Sequence, residues 1–232
     1  MQAFRICSVR RATTNTRVVR LDLGETRFQF RAGHAAGLGP ANDDRSAPYS
    51  IASSPEDTRK GRFLEFLIKV DATERWGNSF PPLRRGARLT VKGALGRFTF
   101  PERPSERHFL FIAGGTGIAP MRSMIRHARA MGHRGRISVL YSARTPHDFA
   151  YRGELRGMAR RGELRLVLTA TRGPDDNWRG QRGRITVSQL ELLLNDPATL
   201  CFVCGPATMV DDVPRMLGQL GVEKSRIRIE EW

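Results

Sequence analysis

Residues 108–120 read HFLFIAGGTGIAP, an apolar run followed by a glycine cluster and a proline. The apolar run is typical of a strand buried on both faces of a parallel sheet. Gly114, Gly115 and Gly117 allow the backbone to turn tightly and to approach a ligand closely. Pro120 fits the first turn of a helix, where its missing N–H breaks no hydrogen bond. The order of strand, glycine turn and helix predicts either an anion site at the helix N-terminus or a turn that binds nothing.

Downstream of this stretch, apolar runs alternate with segments of helical apolar spacing. The predicted strands are residues 109–113, 137–141, 164–169, 199–203 and 226–229, and the predicted helices are residues 120–131, 148–160, 187–194 and 207–220. This alternation is typical of a doubly wound parallel sheet, which binds ligands at the carboxyl ends of its strands. The segments after these strands hold glycines, hydroxyl groups, arginines and one cysteine, a set that favours phosphate binding.

Upstream of the same stretch, short apolar runs are separated by Gly, Pro and Asp. The predicted strands are residues 17–23, 27–30, 49–52, 63–70 and 88–92. They predict an antiparallel barrel or sandwich. Residues 101–107 are polar, contain two prolines and are predicted to be a linker, so that residues 1–100 and 108–232 form two domains.

The net charge of +16 comes almost entirely from arginines spread along all 232 residues. Basic and aromatic residues are not interleaved as in a stacking platform, so specific nucleic-acid binding is only a minor alternative. The charge favours acidic partners and phosphate-bearing cofactors. No apolar stretch approaches the roughly 18 to 20 residues of a membrane span. Three cysteines suit a reducing compartment, and we expect a cytoplasmic protein.

Metal chemistry is not expected from the cysteines and histidines of this chain. Cys201 and Cys204 have CxxC spacing, but they lie in a predicted strand, where positions three apart point to opposite faces. The five histidines are scattered without pairs at ligand spacing. We therefore predict no metal site.

The choice of nucleotide is predicted from the ends of the second and third strands of the α/β pattern. NAD sites usually place an acidic residue after the second strand to bind the ribose 2′-hydroxyl. This chain has Ser142 and Arg144 there, and Arg172 follows the third strand. Because arginine binds phosphate in a bidentate manner, these residues favour NADPH, with NADH as the alternative.

Five motifs along the chain resemble those of the ferredoxin–NADP⁺ reductase family of flavoenzymes. In chain order they are RSAPYSIASS at residues 45–54, GNS at residues 77–79, GGTGIAP at residues 114–120, CGP at residues 204–206 and EEW at residues 230–232. The resemblance implies an N-terminal all-β antiparallel Greek-key barrel that binds FAD. It implies a C-terminal α/β doubly wound parallel sheet that binds NAD(P)H.

The resemblance also assigns roles to individual residues. Ser50 would hydrogen-bond near flavin N5, Cys204 would border the nicotinamide, and Glu230 matches the family's C-terminal glutamate; these three are the predicted catalytic residues. The predicted FAD-binding residues are Arg45, Tyr49, Ser50, Ile68, Lys69, Val70, Gly77, Asn78, Ser79 and Trp232. The predicted NADP-binding residues are Gly115, Thr116, Gly117, Pro120, Ser142, Arg144, Arg172, Gly205 and Pro206.

Two of these assignments concern the flavin directly. Trp232 falls where plant-type members of the family end in an aromatic residue that stacks on the flavin. The family's arginine stands two residues before the tyrosine, where this chain has Ala47. Arg45, two positions further upstream, is the residue that we assign to the FAD pyrophosphate.

The implied reaction is hydride transfer from C4 of NADPH to N5 of FAD, followed by release of single electrons to a separate acceptor. The chain lacks the cysteine spacing of an iron–sulfur cluster, and its positive charge suits an acidic ferredoxin, flavodoxin or oxygenase component. One alternative is an NADH-dependent reductase component of a multicomponent oxygenase. Another is a non-catalytic module that binds flavin or nucleotide.

Overall fold

The computed structural model describes residues 2–41, 44–77, 80–173, 177–194 and 196–231. It divides into two compact units, residues 1–101 with 119–131, and residues 102–118 with 132–232. The strands are β1 (Gln2–Thr13), β2 (Thr16–Asp22), β3 (Ala35–Pro40), β4 (Ala47–Ser50), β5 (Phe63–Lys69), β6 (Arg88–Leu95), β7 (His108–Gly114), β8 (Arg136–Ala143), β9 (Arg165–Ala170), β10 (Gln181–Arg182), β11 (Leu200–Gly205) and β12 (Ile227–Glu231). The helices are α1 (Pro55–Gly61), α2 (Ile118–Ala130), α3 (Arg152–Arg160), α4 (Val187–Leu193) and α5 (Ala207–Gln219), with short 3₁₀ turns at Gly115–Gly117 and Lys224–Arg226.

The first unit contains an antiparallel sheet of six strands in the order β4-β3-β6-β1-β2-β5. An antiparallel bridge between Ile51 and Phe66 joins the two edges of this sheet and closes it into a barrel. After β5 the chain returns to place β6 between β3 and β1, which is a Greek-key connection. Inward-facing side chains such as Ile6, Leu38 and Phe66 form its fully buried core. The predicted barrel fold is confirmed.

Strand β3 has a sequence that no strand propensity favours, AAGLGP, and it is absent from the predicted strands. Small residues are required here because the next segment of chain lies directly against the strand. A Cβ at Gly39 would lie 2.1 Å from the Arg45 carbonyl oxygen. A Cβ at Gly37 would lie 3.3 Å from Ser46 Oγ. The glycines therefore allow the segment before β4 to pack across β3.

Residues 27–30, predicted as a strand, form no regular secondary structure. Phe28 and Phe30 pack against the barrel core as partly buried side chains, so their apolar alternation reflects packing without ladder hydrogen bonds. The prediction also omitted helix α1. Its start is a capping box in which Ser54 Oγ accepts a hydrogen bond from Asp57 N and the Asp57 carboxylate accepts one from Ser54 N.

The second unit contains a parallel sheet in the order β10-β9-β8-β7-β11-β12. Every residue of β7 is buried, as predicted for a central strand covered on both faces. Leu110 and Ile112 pack with apolar side chains of α4 and α5 in one core. Helix α3 begins at Arg152, later than the predicted residue 148, because a turn in which Thr145 donates to the Asp148 carboxylate precedes it. The predicted α/β fold is confirmed.

No helix in the described part of the chain combines the length and apolar character needed to cross a bilayer.

Candidate functional site

The strand order of the parallel sheet marks one place at its carboxyl edge. From β7 the chain winds outward through β8, β9 and β10, and then returns to the other side of β7 to form β11 and β12. The gap between the loops that follow β7 and β11 is therefore the topological switch point, where open α/β sheets bind their ligands. Gly115–Gly117 follow β7 there, and Gly205 and Pro206 end and follow β11.

The glycine loop is open on one side and tightly packed on the other. Gly115 has a φ of 55°, a left-handed conformation that favours glycine, and a Cβ at this position would meet nothing within 4 Å. A Cβ at Gly117 would lie 2.2 Å from the Cys204 carbonyl oxygen. Thr116 between them is half-buried. Helix α2, with Pro120 as its third residue, has no acidic residue in its first turn, so nothing on the helix itself repels a phosphate.

Cys204 and Glu230 occupy paired positions on adjacent parallel strands, β11 and β12. Paired positions in a parallel sheet carry side chains on the same face, so the fold brings these two predicted residues together beside the loop. Cys204 is buried and its Sγ would lie 3.1 Å from a Cβ at Gly117, whereas Glu230 is half-buried.

Gly205 allows the two loops at the switch point to approach each other. A Cβ there would lie 2.4 Å from Met209 Cε and 3.3 Å from Gly114 Cα. Pro206 is exposed and is the N-cap residue of α5. The two predicted residues thus form the wall of the switch point opposite the glycine loop.

Cys201, the other member of the CxxC sequence, has no access to this site. It packs on the opposite face of β11 with Leu110 and Val203, and burial raises the pKa of its thiol to about 12. Neither Cys201 nor Cys204 forms a disulfide. No group of three or more His, Cys, Asp or Glu side chains suited to a metal ion occurs among the described residues.

Arg144 and Arg172 are neighbours at the carboxyl edge of the sheet. The Arg172 backbone N–H donates to the Arg144 carbonyl oxygen at 2.6 Å, next to a bond at 2.9 Å from the Thr171 N–H to the Ala143 carbonyl oxygen. Both side chains are exposed. Ser142, half-buried, pairs with Gly114 at the end of β7. This edge of the sheet therefore carries two exposed arginines with hydrogen-bonded backbones, and a hydroxyl next to the strand that leads into the glycine loop.

In the first unit, Ser50 presents a buried hydroxyl at the end of β4. The residue is 5% exposed, and its Oγ has no hydrogen-bond partner among the described residues. A buried hydroxyl without a partner is unfavourable by about 1–3 kcal/mol. Ser50 therefore fits a cofactor that supplies a donor or acceptor at this position, as a flavin ring does.

Tyr49, next to Ser50, belongs to an aromatic cluster with Trp76 and Phe80. The rings of Tyr49 and Trp76 lie 5.6 Å apart and those of Trp76 and Phe80 lie 4.9 Å apart. Burial raises the pKa of the Tyr49 phenol, against the effect of a hydrogen bond from the Gly77 backbone. Gly77 has a φ of 54°, and a Cβ there would lie 2.6 Å from Phe80 Cδ2.

Arg45 joins this cluster although it is displaced from the family's position. Its guanidinium carbon lies 5.3 Å from the centre of the Phe80 ring, within the range of a cation–π interaction. The displaced arginine thus lies in the same cluster as Tyr49 and Gly77. A positive charge beside an aromatic surface fits a group that combines a planar ring with a pyrophosphate.

Ile68 and Val70 are buried, and Lys69 between them is exposed. Ile68 packs in the barrel core and Val70 forms a bridge with Trp76. Lys69 is the one residue of the three with a polar side chain, and that side chain is exposed. Asn78, Ser79 and Trp232, which were also predicted to bind FAD, lie outside the described residues.

Sequence reasoning missed a buried ion network that supports the segment after Ser50. Glu65 is 1% exposed and lies 3.0 Å from Arg122 of helix α2. Arg122 Nη1 also donates to the Ala52 carbonyl oxygen at 2.7 Å, and Ser123 Oγ donates to the Ser53 carbonyl oxygen at 2.7 Å. The available signal was an acidic residue inside the apolar strand sequence FLEFLIK.

Comparison with known proteins gives consistent results for the sequence and the fold. The family described as "Oxidoreductase NAD-binding domain" matches residues 111–215. The chain is 32% identical to "Ferredoxin--NADP reductase B" of Sorangium cellulosum over 88% of its own length and 86% of that protein. It is also 32% identical to a component of the Na(+)-translocating NADH-quinone reductase of a Marinomonas species, over 79% of this chain but only 48% of that protein.

Among solved structures, the ferredoxin reductase in carbazole 1,9a-dioxygenase superposes with a TM-score of 0.80 at 26% identity, covering 99% of this chain and 69% of that one. The flavohem-like FAD/NAD binding domain of a Vibrio cholerae nitric oxide dioxygenase has a TM-score of 0.82 at 18% identity over nearly the whole of both chains. The second likeness concerns the fold alone.

Proposed function

Because the chain belongs to the ferredoxin–NADP⁺ reductase family of NAD(P)H-dependent electron-transfer oxidoreductases, we propose that it oxidises NADPH and delivers the electrons to a separate acidic protein. When bound, the two cofactors supply the redox chemistry, in which the nicotinamide gives a hydride to FAD and the reduced flavin releases electrons one at a time. The protein residues bind and orient these groups.

The observation that carries the NADPH preference is the pairing of Arg144 and Arg172. Their backbones are hydrogen-bonded, so two guanidinium groups start from adjacent points at the edge of the sheet. A ribose 2′-phosphate is a dianion with three acceptor oxygens, and arginine matches it in a bidentate manner. Ser142, near the end of β8, adds a hydroxyl donor. An NAD site would need an acceptor for the 2′-hydroxyl here, and Arg144 supplies only donors.

We propose that the first unit holds FAD through Ser50, Tyr49 and Arg45. The buried Ser50 hydroxyl gains a hydrogen-bond partner from the flavin. Tyr49 offers a ring face next to that hydroxyl, and Arg45 neutralises phosphate charge. Lys69, Ile68, Val70 and the segment 77–79 complete the proposed contacts.

The proposed nucleotide site uses the open side of Gly115 and the close approach of Gly117 to Cys204. Backbone N–H groups at the start of α2 donate to the pyrophosphate, with Thr116, Pro120, Gly205 and Pro206 around it. Cys204 and Glu230 border the nicotinamide from adjacent strands.

The acceptor is proposed from charge. The chain carries a net charge of +16, which attracts an acidic ferredoxin, flavodoxin or oxygenase component and accelerates their encounter. None of the three cysteines forms a disulfide, which supports a reducing compartment such as the cytoplasm.

The test is an anaerobic titration of the purified FAD-loaded protein with NADPH and with NADH, followed by steady-state kinetics. We expect a higher kcat/KM for NADPH. Arg144→Ala and Arg172→Ala should each reduce that value by roughly 10-fold, since a charge-assisted hydrogen bond contributes about 1.5–3 kcal/mol, and should leave NADH turnover unchanged. Arg156→Ala, an exposed arginine on α3, is the control for loss of charge.

Other outcomes would favour the alternatives. A preference for NADH that survives the arginine substitutions would support an NADH-dependent reductase component, an alternative that the NADH-quinone reductase relative favours. A yellow protein that neither nucleotide bleaches would indicate a binding module without turnover.

A further inference from the structure

Tyr141 is one of the largest fully buried side chains of the protein, and its hydroxyl lies beneath the carboxyl edge of the parallel sheet. A buried phenol requires hydrogen-bond partners. Its Oη donates to the Gly115 carbonyl oxygen at 2.9 Å and accepts from the Ala150 backbone N–H at 3.2 Å. Both partners are backbone groups of loops, the first in the glycine loop after β7 and the second in the segment between β8 and α3.

The ring of Tyr141 is held so that its hydroxyl has one defined position. Phe149 packs its ring at 87° to that of Tyr141, with 5.0 Å between the ring centres. Phe149 in turn stacks on Trp178 at 5.2 Å and 8°, and Trp178 Nε1 donates to the Gln181 carbonyl oxygen. This aromatic row makes the hydroxyl a fixed point of the second unit.

The glycine loop needs a fixed hydrogen-bond donor at Gly115. The loop is anchored by packing at Gly117, where a Cβ would meet the Cys204 carbonyl oxygen at 2.2 Å. At Gly115 the left-handed backbone faces open space. The hydrogen bond from Tyr141 turns the Gly115 carbonyl oxygen into the protein. The carbonyl oxygen is the group that would repel a phosphate if it faced the open side of the loop.

We propose that Tyr141 is a positioning residue for the dinucleotide, because its hydroxyl fixes the orientation of the glycine loop and ties it to the loop that ends at Ala150. This inference rests on the proposed nucleotide site but not on the choice between NADPH and NADH. The glycine loop serves the pyrophosphate, which both nucleotides carry, so Tyr141 affects them equally.

The test compares dissociation constants of NADP⁺ and NAD⁺ for the FAD-loaded protein, measured by isothermal titration calorimetry. Tyr141→Phe keeps the ring packing and removes the hydroxyl. We expect both dissociation constants to rise by a similar factor of about 5 to 30, the equivalent of one lost buried hydrogen bond and its unsatisfied partner. We expect KM for the preferred nucleotide to rise likewise, with kcat changed by less than about 2-fold.

Thr199→Val is the matched control. Thr199 Oγ1 donates to the Asp196 carbonyl oxygen at 2.6 Å and is hydrogen-bonded to His108, at the amino end of the same sheet. The substitution removes a buried hydroxyl from the same unit but far along the strands from the glycine loop. It should lower stability and leave both dissociation constants unchanged. Equal weakening of nucleotide binding in both variants would show a merely structural role and overturn the proposal.

Two further outcomes separate this inference from the proposed function. Wild-type protein that binds neither dinucleotide would overturn both, whereas wild-type binding with an unchanged Tyr141→Phe would overturn the positioning role alone. If Tyr141→Phe fails to fold, hydrogen exchange on the wild-type protein decides. NADP⁺ should then protect residues 113–118 and residues 148–152 together, and protection of the first segment alone would overturn the tie between the loops.

Discussion

Replacing Glu65 by glutamine removes the negative charge at the centre of the ion network in the first unit. The Glu65 carboxylate is 1% exposed and lies between two arginines, with Arg122 Nη1 at 3.0 Å and Arg20 Nε at 2.6 Å. Arg122 is 9% exposed, whereas Arg20 is 36% exposed and stacks on the Phe63 ring. The substitution keeps the shape of the side chain and removes the charge that both guanidinium groups face.

The magnitude follows from this difference in exposure. Removing one partner of a buried ion pair destabilises a protein by about 3–5 kcal/mol, because a charge is left in a low-dielectric region. The partly exposed contact with Arg20 contributes about 1 kcal/mol or less. We therefore expect Glu65→Gln to lower the free energy of unfolding by about 3–4 kcal/mol and Arg20→Met by about 1 kcal/mol or less.

Urea unfolding followed by circular dichroism measures these values, and hydrogen exchange of the β5 amides assigns the loss to the first unit. Arg122 and Ser123 also hold the carbonyl oxygens that follow Ser50, so Glu65→Gln should weaken FAD binding as well. A loss below about 0.5 kcal/mol, the usual range for surface changes, or equal losses for Glu65→Gln and Arg20→Met, would refute the reasoning.

Three further outcomes are expected. Burial, with the charge of Arg136, lowers the pKa of His108 to about 4. The folded state therefore takes up this proton only near pH 4, whereas the unfolded state takes it up near pH 6.5. As the pH falls between these values, the free energy of unfolding should decrease by up to about 1.4 kcal/mol per pH unit. A His108→Gln variant with the same slope in pH-dependent urea unfolding would contradict this. Gly117→Ala should raise KM for NADPH by roughly 10-fold or more, because its Cβ would meet the Cys204 carbonyl oxygen. An unchanged KM in steady-state assays would show that nucleotide binding does not depend on the close approach of Gly117 to Cys204. Ser50→Ala should leave the unfolding free energy of the FAD-free protein unchanged or raise it by about 1 kcal/mol. The same substitution should slow flavin reduction in stopped-flow traces, and an unaltered reduction rate would show that Ser50 is not part of the site.

The parallel sheet could be predicted because its strands carry their own signal. The run FLFIA is apolar at every position, and β7 is buried at every position. The barrel was harder to read, because β3 is a strand only through its neighbours. Its glycines accommodate the segment at Arg45, and no property of AAGLGP alone indicates that. Conversely, Phe28 and Phe30 have the alternating spacing of a strand, but they pack on the core from a segment without regular secondary structure.

Some residues of the candidate site could likewise be predicted from the sequence, and others could not. Local motifs pointed to Ser50, the glycine loop and Cys204, because chemistry of this kind requires particular residue types at short spacing. The residues that support them were not predictable. Arg122 donates to a carbonyl oxygen 70 residues earlier in the chain, and Tyr141 donates to one 26 residues earlier. A tyrosine inside an apolar strand is equally typical of a core residue.

The sequence by itself determined the two-unit architecture and the family, and it pointed to the edge of the sheet at which we propose that a phosphate binds. Those properties are encoded in hydrophobic periodicity and in glycines, both of which act over a few residues. Only the tertiary structure decided that Arg144 and Arg172 are adjacent, that Arg45 reaches the Phe80 ring, and that the Ser50 hydroxyl is buried without a partner among the described residues. Each of these depends on strands and loops distant in the chain meeting in space, which local patterns do not encode.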